Sequence, residues 1–277
     1  MLSTTEKQNR QKAVDFARGS VRYEGFHLTS EAEALFQSYI EGEITNEALN
    51  TAVLDLAIKT EQKDEGLLAA NRIRELTENP TQGDFDEAHL CEVHQRIFQD
   101  MPHHKPGQYR TPEQEGMIRF KNRALEDRTM PYHVWYATRK QIDQSLAETL
   151  KTFSRIEELK KLDKEQFSEV LSKWYADLDY YHPFSEGNSR TLRSFTQQLA
   201  KAVGFDLDWN TKNANKELRD ELYIARDREV TEKRYPGLRN GDFHSPSTQH
   251  TFMMLYRQKR EVRSLQQIIA DATYIIE

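Results

Sequence analysis

The sequence predicts an all-α fold carrying one small β-hairpin. Composition is the first reason: 11 glycines and 8 prolines in 277 residues, against 30% charged residues, suit long solvated helices better than short strands and tight turns. The second is that apolar residues recur at three- and four-residue intervals along most of the chain. A chain of this length holds one large domain, or a catalytic domain with a small appendage. Its one cysteine, Cys91, cannot form an internal disulfide and has no evident activating partner, so it reads as a small packing residue. Nothing at the start reads as a basic region followed by an apolar run and a cleavage site. No run reaches the ~18 to 20 apolar residues of a membrane span, and the apolar stretch at residues 266–275 is too short. A soluble, cytoplasmic protein is expected. A formal charge of −6 argues against a general nucleic-acid footprint, which needs a basic face.

Taken in order, the first helical stripe is Leu35, Phe36, Tyr39 and Ile40. A polar break at residues 62–66 divides residues 1–62, a small helical module, from residues 63–277, a larger domain with a helical C-terminal extension. Leu90, Val93, Ile97 and Phe98 give the next stripe. Residues 102–131 break the rhythm with Pro106, Gly107, Pro112, Gly116 and Pro131, and the extended-looking run at 117–120 predicts a loop with a small hairpin. The Glu/Lys run at residues 157–165 reads as a solvated helix face. Phe167, Leu171, Trp174, Leu178 and Tyr181 form one long stripe, and Leu192, Phe195, Leu199 and Val203 form another that stops at Gly204. Two helices therefore flank residues 182–188. His89 and His94 are five apart, which is poor spacing for one helix face, and His103 and His104 have no neighbouring cysteines or paired carboxylates. None reads as a zinc site. The segment after Asp242 receives no role.

The interruption between the two helices begins the string HPFSEGNSRTLR, residues 182–193, in which nearly every position suits phosphate handling. Gly187 lets the backbone approach a ligand closely, Asn188 reads as an N-cap, and the N–H groups of the following helix point outward as an anion cradle. Arg190 and Arg193, three apart, share a helix face from which two cations can grip phosphate oxygens. Glu186 supplies a carboxylate of the kind that holds Mg2+ beside nucleotide phosphates. His182 can take a proton from an attacking hydroxyl near neutral pH, and Phe184 anchors the loop in the core.

This string resembles the defining motif of the Fic family, His-Pro-Phe-x-Asp/Glu-Gly-Asn-Gly/Lys-Arg-x-x-Arg. It departs at one fixed position, Ser189. FDEAHLCEVHQRIF at residues 85–98 looks like the family's early helix, and Gly107-Gln108-Tyr109-Arg110 is similar to the segment leading into its target-docking flap. The resemblance spans roughly residues 65–210. It implies a protein adenylyltransferase that moves AMP from ATP onto a Ser, Thr or Tyr hydroxyl of a target protein and releases pyrophosphate. His182 would activate the hydroxyl, Glu186 would bind Mg2+, and Gly187, Asn188, Ser189, Arg190 and Arg193 would hold the phosphates. A flap at residues 116–131 would clamp the target as an added strand.

A second resemblance lies near the start. Ser20-Val21-Arg22-Tyr23-Glu24-Gly25 matches the Ser/Thr-x-x-x-Glu-Gly/Asn inhibitory motif of Fic regulation, and the surrounding helices resemble the small antitoxin partners of Fic toxins. Ser20 and Glu24 share a helix face, so the hydroxyl can bond the carboxylate, and Gly25 suits the helix end. The resemblance implies that Glu24 pairs with Arg193 in the place of the γ-phosphate, leaving the default state off. Two alternatives stay open: removal of AMP, with Glu24 orienting water, or transfer from another nucleotide donor favoured by Ser189. Adenine contacts are expected from Tyr223 and its neighbours. Partners are ATP and an unidentified target protein, with no nucleic acid or membrane. Homo-oligomerisation, and inhibition within or between chains, are left open.

Overall fold

The computed structural model describes residues 2–59, 64–111, 120–126, 130–153, 155–209, 216–258 and 261–276. Helix α1 (Thr4–Tyr23) starts at a capping box: Ser3 Oγ accepts from the Glu6 N–H at 3.2 Å, while the Glu6 carboxylate accepts from the Ser3 N–H at 2.7 Å. It is followed by α2 (Ser30–Glu41), α3 (Asn46–Lys59) and α4 (Glu65–Glu78). Helix α1 lies chiefly along α4. A polar web fastens α3 to α4: the buried Arg74 donates to Asn46 Oδ1 at 2.7 Å, to Asn71 Oδ1 at 2.8 Å and to Glu78 Oε2 at 2.8 Å.

Next come α5 (Glu87–Phe98), a 3-10 turn (Pro102–His104), β1 (Phe120–Arg123) and β2 (Tyr132–Trp135). The strands pair antiparallel, with Phe120 opposite Trp135 and Arg123 opposite Tyr132. The expected hairpin exists, but its return strand lies beyond the predicted end at residue 131. There Tyr132 and Val134 are buried while His133 and Trp135 are half-buried, the alternation of a strand with one face on the core. Most of the run expected to be extended, residues 117–119, lies outside the described residues.

Helices α6 (Arg139–Lys151), α7 (Ile156–Leu159) and α8 (Lys164–Tyr181) follow, so the charged run at 157–165 is divided between two helices by the Asp163 cap. Then come α9 (Asn188–Ala202), β3 (Phe205–Leu207), α10 (Lys216–Arg234), α11 (Pro246–Phe252), α12 (Leu265–Ala272) and β4 (Thr273–Ile275). Strands β3 and β4 form a second two-stranded sheet that helical periodicity did not reveal. Helix α11 gives the segment after Asp242 a place. It braces β2, with Thr251 Oγ1 donating to His133 O at 3.1 Å and His250 Nε2 2.9 Å from Pro131 O.

One apolar cluster runs from Val14 of α1 to Ile269 of α12, so the N-terminal helices and the rest share a core. Among the described residues no helix is long and apolar enough to cross a membrane. Helix α9 sits deepest, with even Arg193, Thr196 and Gln197 buried, and its N-terminus meets the end of α8 at residues 182–187.

Candidate active site

His182 closes α8 in the left-handed region, φ 45° and ψ 57°, a costly conformation for a residue with a Cβ. Arg110 holds it there. Its side chain donates to His182 O at 3.0 Å and to the carbonyls of Tyr181 and Ala137, while its own N–H donates to Pro183 O at 2.8 Å. The segment 107–110 thus positions the loop as well as leading towards the hairpin. The His182 ring stacks on Tyr136 at 3.9 Å, and its Nδ1 lies 3.9 Å from Asp179 Oδ1. Burial holds the imidazole pKa well below its ordinary value, and the cations Lys121, Arg110, Arg226 and Arg123 push the same way. The ring is neutral, the form that accepts a proton.

The loop after His182 is built from beneath. Phe184 is buried and stacks on His94 at 3.8 Å with an 8° interplanar angle. His94 Nδ1 accepts from the Gly107 N–H at 2.9 Å, so Nε2 carries the proton and donates to Glu186 O at 3.1 Å. Burial lowers the His94 pKa to about 4, preserving that neutral tautomer. The sequence offered no sign of this role, because His94 lies on another helix far from the motif.

Gly187 is required twice over. Its φ is +78°, and a Cβ there would lie 2.2 Å from Phe98 Cζ. Gly187, rather than Asn188, occupies the N-cap of α9, which corrects the sequence expectation. Asn188 is the first helical residue, and its amide closes the loop by accepting from Phe184 N–H at 2.9 Å and donating to Phe184 O at 2.7 Å. Glycine has no side chain to cap with, so the N-cap residue takes none of the first N–H groups of α9, and no side-chain acceptor for them is found among the described residues.

Beside that terminus, the Arg190 guanidinium lies 4.7 Å from the Phe98 ring and 5.6 Å from the Phe26 ring. It is buried, and its Nε and Nη1 have no hydrogen-bond partner among the described residues. Arg193 is fully buried and meets the N-terminal helix. Its Nη2 donates to Glu24 Oε1 and to Ser20 O, both at 2.7 Å, and its Nε donates to Ser20 Oγ at 3.2 Å. The expected bond between Ser20 and Glu24 is therefore replaced by convergence of both on the guanidinium, which offers several donors at once. Gly25, φ +87°, ends α1 as expected. Burial opposes ionisation of Glu24, but Arg193 and Arg190 outweigh it and hold the carboxyl at about 2.

Glu186 carries a side chain that is 55% exposed, with Lys121 Nζ of β1 at 3.8 Å. An exposed oxygen donor beside an open helix N-terminus fits one ligand of Mg2+. Ser189 Oγ accepts from Arg226 Nη2 at 3.1 Å, and Arg226 makes a two-pronged pair with Asp179 at 2.8 and 3.0 Å. Arg226 is a site residue that sequence spacing could not find, since it comes from α10.

Residues 84–200 match the Fic/DOC family model, and residues 10–54 match the antitoxin VbhA model. This chain carries a Fic domain. An antitoxin-type segment precedes it, and its Ser20 and Glu24 meet Arg193. The Fic domain is similar to protein adenylyltransferase VbhT of Bartonella schoenbuchensis, 28% identical over 149 residues, covering 54% of this chain and 28% of that protein. It is similar also to a protein adenylyltransferase of Bartonella henselae, 30% identical over 135 residues, covering 46% of this chain and 23% of the relative. The matched region spans about a quarter of the length of these two relatives. In fold it is similar to the N-terminal Fic domain of a VirB-translocated Bep effector protein of Bartonella quintana, solved with bound ADP. That match has a TM-score of 0.52 at 18% identity, covering 77% of this chain and 84% of that one.

The antitoxin-type helix touches the Fic domain at a second place. Arg22 donates to the two Glu126 oxygens at 2.6 and 3.3 Å, beyond β1 of the hairpin, and Arg219 Nε lies 3.3 Å from Glu126 Oε1. Arg219 Nε and Tyr223 OH also donate to Tyr23 O, at 3.0 and 2.7 Å. Tyr223, expected to meet adenine, thus has its hydroxyl committed to the end of α1.

Proposed function

We propose that this chain transfers AMP from ATP to a Ser, Thr or Tyr hydroxyl of another protein, and that its own N-terminal helix holds the reaction off. The observation that carries the reading is the placement of a neutral His182 beside an uncapped helix N-terminus flanked by Arg190 and Arg193. The adenylyltransferase names of the relatives support it. The target oxygen attacks the α-phosphorus, its proton passes to His182, and the bond to the departing pyrophosphate breaks. Asp179 Oδ1 lies 3.9 Å from Nδ1, and neither ring nitrogen has a hydrogen-bond partner among the described residues, so the neutral ring is available to accept the proton. The N–H groups of Asn188, Ser189 and Arg190, with the Gly187 backbone, receive phosphate oxygens, and the two guanidiniums take the charge that gathers on the leaving group. Mg2+ held by Glu186 would neutralise phosphate charge during this displacement.

Inhibition follows from the same geometry. The Glu24 carboxylate accepts from Arg193 Nη2, one of the donors that a terminal phosphate would take. The hydroxyl of Ser189 is bonded to Arg226, which favours ATP over a reading in which Ser189 selects another donor. Parallel reactions of Glu24→Gly with ATP labelled on the α- or the γ-phosphate test the chemistry. Label on protein from the α-position alone supports AMP transfer; label from the γ-position would show phosphoryl transfer instead.

A further inference from the structure

We propose that Glu65, His103 and His104 form a site for a divalent metal of the zinc type, separate from the phosphate cradle. The ligands come from two elements that the sequence keeps apart. Glu65 is the first residue of α4, and the two histidines lie in the 3-10 turn after α5. This is why neither histidine looked like a ligand in the sequence: the carboxylate arrives from 38 residues upstream of His103.

The donor atoms already converge. His103 Nε2 is 2.6 Å from Glu65 Oε1, His104 Nε2 is 3.3 Å from Glu65 Oε2, and one ligand atom from each of the three lies within 4.8 Å of the others. A tetrahedral zinc bound at about 2.0 to 2.1 Å holds its ligands roughly 3.4 Å apart. The His104 separation of 3.3 Å is close to that spacing, and the exposed His103 at 2.6 Å would have to draw back to reach it. A second observation points to a ligand. His104 is 5% exposed, and neither of its ring nitrogens makes a hydrogen bond of good geometry, although Nε2 faces the carboxylate. A buried imidazole whose one polar contact is a 3.3 Å approach to a carboxylate is only partly compensated for its lost hydration, and a metal ion held between the two would strengthen that contact.

The donor set selects the class of ion. Two imidazoles and one carboxylate suit zinc and its neighbours, whereas Mg2+ and Ca2+ prefer oxygen throughout. His103 and Glu65 are partly exposed, which gives the ion a way in and leaves a fourth position for water. The site also touches the floor of the cradle. The His104 ring packs 5.0 Å from Phe98, the same ring that crowds Gly187 and carries Arg190. Metal binding would pin the start of α4 to the turn that supports this ring.

The test uses the full chain without an affinity tag, stripped with a chelator and kept in excess Mg2+ so that Glu186 is not the site read. Zn2+ is titrated against a chromogenic chelator, and Co2+ is bound separately for its visible spectrum. The expected result is one equivalent of tightly held Zn2+ and a ligand-field band from Co2+. Both should weaken in His103→Ala and in Glu65→Gln by at least what an outer-shell partner is worth, roughly tenfold. His103 is exposed, so its variant should keep the fold, which circular dichroism verifies. Absence of stoichiometric Zn2+ binding by folded wild type, or binding unchanged in both variants, overturns the proposal.

Discussion

Arg193 donates to Glu24 Oε1 at 2.7 Å, joining residues 169 positions apart within one chain. That single contact links an antitoxin-type helix to the arginine that ends the Fic motif. A hydrogen bond to a charged group contributes about 1.5 to 3 kcal/mol, roughly a ten- to hundredfold change in an equilibrium. Glu24→Gly is therefore expected to tighten ATP binding by about tenfold or more, measured by calorimetry in Mg2+. Unchanged affinity would mean that the carboxylate does not compete with phosphate for Arg193.

The second hold of α1, Arg22 on Glu126, is about a quarter exposed on both sides. Such pairs contribute about 0.2 to 1 kcal/mol. Arg22→Ala should raise AMP transfer by at most about fivefold, less than Glu24→Gly does, in a side-by-side labelling assay. Equal activation by both variants would assign the latch to the hairpin side rather than to the phosphate side.

Acid should loosen the fold before it opens the latch. Glu24 is lowered from 4.5 to about 2, so its contribution is complete above pH 4.5 and is lost only as pH falls towards 2. His94, lowered from 6.5 to about 4, binds its proton more readily in the unfolded chain. Its contribution is present above pH 6.5, is lost as pH falls through 4, and is on the order of 3 kcal/mol. His89, His104 and His182 are shifted in the same direction by burial. The melting temperature should therefore fall steeply between pH 6.5 and 4, and less steeply in His94→Gln. A profile that is flat there would contradict the burial of these rings as neutral species.

Gly187→Ala tests the turn itself. The left-handed conformation costs a side-chain-bearing residue about 1 to 2 kcal/mol, and forcing a methyl into the Phe98 ring adds about 1 to 3 kcal/mol. Loss of labelling together with a lower melting temperature is expected. A variant as stable and as active as its parent would mean that the loop does not need this geometry.

Much of this was legible because the motif is local. His182, Glu186 and Gly187 lie within one short string whose spacing dictates a helix, a turn and a helix, and the stripes of α5, α8 and α9 were plain in the sequence. What stayed hidden depends on contacts between distant segments. His94 under Phe184, Arg226 beneath Ser189, and Glu65 beside His103 and His104 are each brought in from another element, and no periodicity encodes such meetings. The capping role also misled. Asn188 is a good N-cap by residue type, yet the left-handed Gly187 takes that position and turns the amide back onto Phe184. The strands at 205–207 and 273–275 are too short for their alternation to stand out, so their pairing appears only once α12 brings them together.

The central claim is that His182 is the base of an AMP transfer held off by Glu24. The measurement that tests it most directly is self-labelling with α-labelled ATP and Mg2+ by wild type, Glu24→Gly, and Glu24→Gly combined with His182→Ala. The account predicts weak labelling of the wild type, strong labelling of the single variant and none of the double. Equal labelling of the single and double variants would contradict it, because the proton would then leave by a route that does not pass through the imidazole.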